Sequence, residues 1–314
     1  MDSSELQKLA QHTRSMREAG MALIAASLLL AVFLFIPLAP KYVPPTPVAA
    51  APERPDAFAH VPLQAEAAIV YDLATGRVLY AKNADAQLPL ASLTKMLTVY
   101  AALATLSPDT PITIPAEAVR ADAPRAFNEG QTFTLADLAR LTLTASLNDG
   151  ATAIASATAM RQDVSQNAML AGAAAALGLS QTYAVNGSGL DVSAALAGGY
   201  GSARDLAVLA GALLRDAPFI ANATTLPTAQ AVSAGGTAYT VQNTDPMVGT
   251  IPRLLLSKTG YTDLAGGNLA LVFDVGIAHP IAVVVLGSSQ KARFTDGTAL
   301  VAATLAHFAG IASL

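Results

Sequence analysis

Leu254-Leu255-Leu256-Ser257-Lys258-Thr259-Gly260-Tyr261-Thr262 is an apolar run that closes on a Lys-Thr-Gly triplet found once in the chain. Its short apolar stretch reads as a buried strand. Such a strand drives the lysine at its end to the edge of the core, and the glycine behind it lets another backbone come close. Lys258 and Thr259 can then grip a carboxylate through charge-assisted hydrogen bonds, about twice as strong as neutral ones. Tyr261-Thr262-Asp263-Leu264-Ala265-Gly266 extends the pattern. Two polar triplets precede it, Ser92-Leu93-Thr94-Lys95 and Ser146-Leu147-Asn148. In that order the three describe a serine nucleophile activated by a lysine.

Each of the first two motifs is weak alone. Ser288-Ser289-Gln290-Lys291 also fits Ser-x-x-Lys, and Ser165-Gln166-Asn167 also fits Ser-x-Asn. Context separates them. Ser92 to Leu106 has no Pro or Gly and repeats apolar residues at Leu93, Met96, Leu97, Tyr100 and Leu103, a helix that closes at Ser107-Pro108. Residues three apart share a helix face, so Lys95 can reach the Ser92 hydroxyl, and the first turn aims free N–H groups at a reacting carbonyl. Ser288 follows a strand in a polar loop and lacks that scaffold. For Lys95 to accept a proton its pKa must fall from about 10.4 toward ~7 to 8. No acid occurs between Asp85 and Asp109 to hold it charged locally, though a distant one can. Read singly, Ser92 is more often an N-cap with an exposed lysine behind it, and Ser146-Leu147-Asn148 more often a helix end and turn, where a hydroxyl and an amide can also relay protons.

Outward from these motifs, Glu66 to Asp72 and Arg77 to Tyr80 flank Leu73-Ala74-Thr75-Gly76 as a hairpin. Leu135 to Leu143, Ala151 to Met160 and Ser202 to Arg215 read as helices, the first two separated by the breaker Asn148-Asp149-Gly150. Leu254 to Ser257, Leu269 to Val275 and Ile281 to Leu286 are β-rich, and Thr298 to Phe308 is a closing helix. Strands at both ends with helices between them predict an α+β fold, a mostly antiparallel sheet flanked by helices with an inserted helical subdomain.

The chain has 314 residues, 53% hydrophobic and 13% charged, enough to bury a large core. Its net charge of −4 offers no basic field for nucleic acid. It has no cysteine, and its four histidines, His12, His60, His279 and His307, show no metal-ligand spacing, so neither a metal site nor a cofactor is expected. Met21 to Leu38 carries no charge and as a helix spans about 27 Å at ~1.5 Å per residue, nearly a bilayer core. The nearest Ala-x-Ala pattern, Ala49 to Ala51, lies well past its end, which favours an uncleaved anchor over a removed signal. Lys8, Arg14 and Arg17 place the N-terminus in the cytoplasm, a bias softened by Lys41 and Arg54. Between Pro40 and Pro62 a Pro/Ala-rich run forms an extended spacer. The expected organisation is a cytoplasmic tail at 1–20, a single-pass signal-anchor at 21–38, a linker at 39–62 and a catalytic domain at 63–314 outside the cytoplasmic membrane.

Ala68-Ile69-Val70-Tyr71-Asp72 to Gly76, Leu90-Ala91-Ser92-Leu93-Thr94-Lys95-Met96, Ser146-Leu147-Asn148-Asp149, Asn186-Gly187-Ser188-Gly189-Leu190 and Lys258-Thr259-Gly260-Tyr261-Thr262 together resemble the serine-type D-alanyl-D-alanine carboxypeptidases among the low-molecular-mass penicillin-binding proteins. The resemblance covers essentially Glu66 to Phe308 and implies their β-lactamase/transpeptidase-like fold. It implies Ser92 as nucleophile, Lys95 as base, Ser146 and Asn148 as relay and positioning groups, and Lys258 with Thr259 and Gly260 binding the terminal carboxylate of a peptidoglycan stem peptide. The backbone N–H groups of Ser92 and Tyr261 would form the oxyanion hole, and Arg293 sits where the family carries a further carboxylate-binding arginine. β-Lactams are then expected as inhibitors.

Three departures stand out. Leu147 is bulky where the family has a small residue, implying a narrower mouth. Gly150 follows Asn148-Asp149 and can loosen that helix start. The chain stops some fifty residues after Gly260, so the β-rich C-terminal domain and terminal membrane helix of many relatives are not expected. A class A β-lactamase needs a glutamate after the Ser-x-Asn motif to activate water, and Glu129 is the last glutamate in the chain. A non-catalytic penicillin-binding scaffold fits poorly with the intact motifs, and a Ser-His-Asp hydrolase lacks its Gly-x-Ser-x-Gly elbow. Endopeptidase action on crosslinks stays open.

Overall fold

The two strands of the first hairpin, β1 (Ala67–Asp72) and β2 (Arg77–Lys82), join a sheet whose other members come from the far end of the chain. The structure is a computed structural model that describes residues 2–34, 56–276 and 278–310. It divides into two units, Met1–Glu53 and Arg54–Leu314.

Among its described residues the first unit contains one helix, α1 (Ser3–Leu34). It starts well before the uncharged segment that begins at Met21, so Lys8, Arg14 and Arg17 lie on the same helix as the apolar run. Its Ser3–Val32 portion is long and apolar enough to cross a membrane. Residues 35–38 of the expected anchor and 39–55 of the expected linker lie outside the described residues.

In the second unit, pairs and helices follow β2 in order. β3 (Leu88–Pro89), β4 (Pro111–Thr113), β5 (Thr132–Thr134), β6 (Tyr183–Ala184) and β7 (Gly199–Gly201) are short, with β3-β7-β6 and β4-β5 forming two small sheets. The helices are α2 (Thr94–Leu103), α3 (Leu135–Ala145), α4 (Asn148–Gln162), α5 (Gln166–Ala176), α6 (Ala203–Asp216) and α7 (Pro218–Ala223). A separate hairpin, β8 (Thr228–Val232) with β9 (Ala238–Gln242), precedes β10 (Leu254–Thr262), β11 (Gly266–Asp274), β12 (Pro280–Ser288) and α8 (Ala292–Ala309). The main sheet runs β10-β11-β12-β1-β2, with every pair antiparallel.

Side chains alternate across a strand, so a strand buried on both faces needs apolar residues throughout. β12 shows this directly. Ala282, Val284 and Leu286 enter the large cluster shared with α2, α3 and α6, whereas Ile281, Val283 and Val285 enter a second cluster with Leu300, Val301 and Ala303 of α8. β1 divides the same way, Ile69 to one side and Val70 to the other. The sheet is therefore the middle layer between the helical insertion and α8, the α+β arrangement expected from the strand and helix order.

Several boundaries differ from expectation. Ser92 does not open a long helix; it lies in a 3-10 turn, Ala91–Leu93, and α2 begins at Thr94. The break between α3 and α4 falls at Ser146, which is left-handed at φ 59°, while Asn148, Asp149 and Gly150 form the first turn of α4. Gly150 presses against Thr142 of α3: a Cβ there would lie 2.1 Å from Thr142 Oγ1. The helix start is thus tight rather than loose. Leu147 is buried in the large core cluster, so its bulk fills the interior instead of narrowing a mouth. β10 continues to Thr262, which places Lys-Thr-Gly inside the strand and not at its end. α8 begins at Ala292, six residues before the predicted Thr298. α5, α7 and the β8-β9 hairpin were not predicted.

Candidate active site

Three segments meet at Ser92. Leu90 and Ala91 lead into the 3-10 turn, and Ala91 adopts φ 48°, a conformation most residues avoid. The neighbouring loop makes the space for it. Gly189, at φ +76°, passes so close that a Cβ would lie 1.9 Å from the Ala91 carbonyl oxygen. On the other side Gly260 of β10 approaches the turn, and a Cβ there would meet Ser92 N at 3.2 Å. The approach at Gly189 requires glycine, and the one at Gly260 leaves a side chain little room.

Lys95 follows one turn later and is completely buried. An ammonium has three N–H donors, and all three have partners: Ser92 Oγ at 2.7 Å, Asn148 Oδ1 at 2.6 Å and the Ser188 carbonyl at 2.7 Å. Burial pushes the Lys95 pKa down to about 7, against the negative charge of Asp149, which works in the opposite direction. A lysine titrating there exists as the free amine in a large fraction of molecules at neutral pH and can take a proton from the serine it touches.

Asn148 is held from behind. Its Nδ2 donates to the carbonyls of Asp122 at 2.9 Å and Ala123 at 3.0 Å, which turns Oδ1 toward Lys95. The left-handed turn at Ser146 sends its hydroxyl toward a second buried lysine, with Lys258 Nζ donating to Ser146 Oγ at 2.9 Å and to the Thr259 carbonyl at 2.7 Å. Burial drives the Lys258 pKa well below its ordinary value, helped by the positive charges of Lys95 and Arg293 and opposed by Asp245. Thr259 exchanges a hydrogen bond with Thr244 Oγ1 at 2.6 Å.

β10 is an edge strand, so one side of its backbone is free of sheet partners. The Ser257 N–H points off the sheet, to Thr224 Oγ1 at 2.9 Å. The two-residue period then points the N–H groups of Thr259 and Tyr261 the same way. Gly260 contributes its carbonyl to the Arg293 guanidinium, which packs over the Phe294 ring and is buried. Tyr261 is 45% exposed and stands at the surface of the site.

All nine residues singled out in the sequence therefore gather around one point. The competing motifs do not. Ser165 caps α5 by accepting the Ala168 N–H, and Ser288 ends β12 with its hydroxyl on Asp296. Sequence reasoning missed the roles of Ser188, Thr244, Asp245 and Asp149. Ser188 lies in the Asn-Gly-Ser-Gly-Leu run, whose Asn186 side chain accepts the Ser188 and Gly189 N–H groups and fixes the loop. Thr244 and Asp245 carry no local signal at all. Among the described residues no group of His, Asp or Glu is placed to hold a metal ion.

A helix-flanked antiparallel sheet of this topology is the fold of the penicillin-binding proteins. Penicillin-binding protein D2 of Listeria monocytogenes, solved with ampicillin, matches at TM-score 0.66 and 29% identity, over 78% of this chain and 98% of that one. The D-alanyl-D-alanine carboxypeptidase of Mycobacterium tuberculosis matches at TM-score 0.66 and 25% identity, over 79% and 91%. Residues 52–290 match the Peptidase S11 family, D-alanyl-D-alanine carboxypeptidase, and the chain belongs to that family. Among relatives, a D-alanyl-D-alanine endopeptidase of Pseudomonas aeruginosa is 31% identical over 257 residues, covering 78% of this chain and 80% of that protein. Carboxypeptidase DacC of Escherichia coli is 29% identical over 260 residues, and the chain spans 60% of its length.

Proposed function

We propose that this chain is a serine DD-carboxypeptidase that removes the terminal D-alanine from peptidoglycan stem peptides through an acyl-enzyme on Ser92. The observation that carries the reading is the buried Lys95 Nζ, 2.7 Å from Ser92 Oγ with its pKa lowered to about 7. Neutral Lys95 takes the hydroxyl proton as Ser92 Oγ bonds to the carbonyl carbon of the penultimate residue. The oxyanion forms against the N–H groups of Ser92 and Tyr261, each donor of this kind being worth ~3 to 4 kcal/mol. The carbon–nitrogen bond then breaks, and the proton that Lys95 took from Ser92 passes to the leaving amine by way of the Ser146 hydroxyl, held by Lys258, which returns Lys95 to its neutral form. Water hydrolyses the ester with Lys95 again as base, which frees Ser92. Asn148 orients Lys95, Lys258 and Thr259 hold the terminal carboxylate, and Arg293 adds positive charge from behind Gly260.

The same attack on a β-lactam gives an acyl-enzyme with no leaving group to depart. Glu129, the last glutamate, precedes Ser146-Leu147-Asn148, so no glutamate follows that motif to activate water in the class A manner. Slow release, and hence inhibition by penicillins, is expected; the ampicillin-bound Listeria relative points the same way. The apolar N-terminal helix fits membrane anchoring. We take residues 1–20 as the cytoplasmic tail, 21–38 as the span, 39–62 as the spacer and 63–314 as the domain on the outer face.

A fluorescent penicillin tests the reading: it should label the wild-type protein covalently and leave Ser92→Ala unlabelled. Release of D-alanine from a pentapeptide no faster than by Ser92→Ala overturns the carboxypeptidase assignment even if labelling persists. The Pseudomonas relative supports a second activity, endopeptidase cleavage of crosslinks. A crosslinked muropeptide dimer assayed beside the pentapeptide separates the two.

A further inference from the structure

The first turn of α4 buries a charge that the scheme above does not use. Asp149 is completely inaccessible. Its Oδ2 accepts the N–H groups of Ala126 at 2.7 Å and Phe127 at 2.8 Å, and its Oδ1 accepts that of Gly150 at 2.8 Å. An acidic residue at a helix start ordinarily serves the amides of its own first turn and stays in water. Here one oxygen reaches amides 23 and 22 residues upstream, in a loop that forms no helix or strand there. Burying a carboxylate costs several kcal/mol, and among the described residues no cation forms a salt bridge with it.

The clamped loop is the one that holds Asn148. Asp122 and Ala123 take both Nδ2 hydrogens of Asn148, and the Pro124 carbonyl takes its backbone N–H at 2.8 Å. With its amino group held there, the Asn148 amide presents only its oxygen to Lys95.

Building on the assignment of Ser92 and Lys95 above, we propose that Asp149 is a positioning residue of the reaction: its carboxylate clamps the Asp122–Phe127 loop so that Asn148 Oδ1 faces Lys95, and its negative charge stands behind that lysine. The charges that bear on Lys95 are Asp149 from α4 and Lys258 from β10. The 3-10 turn and the Asn186–Leu190 loop present a hydroxyl and a carbonyl to it, and α3, α5 and α6, which also pack on α2, add no charge to those two. An opposite charge favours the protonated amine. Removing it therefore lets Lys95 lose its proton at lower pH while leaving it a weaker, less well-oriented base.

The test is the rate of acylation by a fluorescent penicillin, followed from roughly pH 5 to 9, in the full-length protein and in Asp149→Asn, with thermal melting of both. We expect the plateau rate to fall about ten- to hundredfold and the acid limb to move down by about one pH unit, the scale of one nearby charge. A purely structural role lowers the rate without moving the limb, and an unmoved limb overturns the proposal. If Asp149→Asn does not fold, hydrogen exchange in the wild type decides. The Ala126 and Phe127 amides should exchange about a hundredfold slower than that of Arg125 in the same loop, and equal rates overturn the clamp. Failure of the wild type to be labelled at Ser92 removes the catalytic reading itself, a result distinct from either Asp149 outcome.

Discussion

Two lysines lie buried a short distance apart, and they are prepared for opposite tasks. Lys95 has all three N–H donors occupied by Ser92, Asn148 and Ser188. Lys258 has two protein acceptors among the described residues, Ser146 Oγ and the Thr259 carbonyl, which leaves one donor for a ligand. Burial lowers the pKa of both. Desolvation is thus common to the two, and in the proposed reaction the partner set divides the work: the saturated lysine beside a hydroxyl serves as the base, and the unsaturated one on an edge strand receives the carboxylate, whose negative charge favours its protonated form.

The comparison breaks most visibly if Lys95 is removed. Lys95→Met should lower the acylation rate by ~10³- to 10⁴-fold, near the upper range for a general base, measured with a fluorescent penicillin on protein that still melts cooperatively. In the wild type the rate should rise through about pH 7 as Lys95 loses its proton. Stability carries the same signature. With a folded pKa of about 7 against the ordinary 10.5 of a free lysine, the unfolded chain binds more protons between those values, so stability should increase with pH across that window. Lys95→Met should reduce that rise to the part that the buried Lys258 contributes.

Gly189→Ala should come next, at about 2 to 4 kcal/mol of lost stability from overpacking and a left-handed backbone, read as a lower melting temperature. Because the clash falls on Ala91, surviving enzyme should acylate slowly as well. Lys258→Met sharpens the contrast. It should raise KM for a carboxylate-bearing peptide about ten- to hundredfold, the worth of a hydrogen bond to a charged group, and change KM for the same peptide as an amide far less. Equal losses on both substrates would show that Lys258 acts on the reacting bond, not on the carboxylate. Thr244→Val, which removes the partner of Thr259 and a long bond to the Thr144 carbonyl, should cost about three- to tenfold in KM.

How far the sequence reads follows from how local each signal is. The strand through Lys258, the hairpin with its Gly76 turn and the apolar period of α2 are short-range patterns, and all appear in the fold. The exact placement of Ser92 is not local. Its 3-10 turn rests on Ala91 at φ 48°, permitted by Gly189 almost a hundred residues away. Ser146 likewise takes φ 59°, a conformation its hydroxyl gives no notice of in sequence. Asn148-Asp149-Gly150 looks like a breaker because each residue disfavours helix interiors, yet Asp149 is satisfied by upstream amides and Gly150 packs on Thr142. The β8-β9 hairpin escaped because Ala229 and Ala231 give only a faint alternation. Alanine is also what hid α5.

The pairing of Ala67 with Leu286 makes β1 and β12 neighbours at the centre of the sheet. During synthesis the helices from Thr94 to Asp216 emerge early and can begin to pack, but β1 has no inner partner until the ribosome has delivered β12. Nor can Lys258 meet Ser146 until β10 is docked. Such long-range closures are the slow steps of folding. A hydrolase built this way gains its working pocket only when nearly the whole chain is present, so truncated or stalled products expose a serine without the groups that make it reactive.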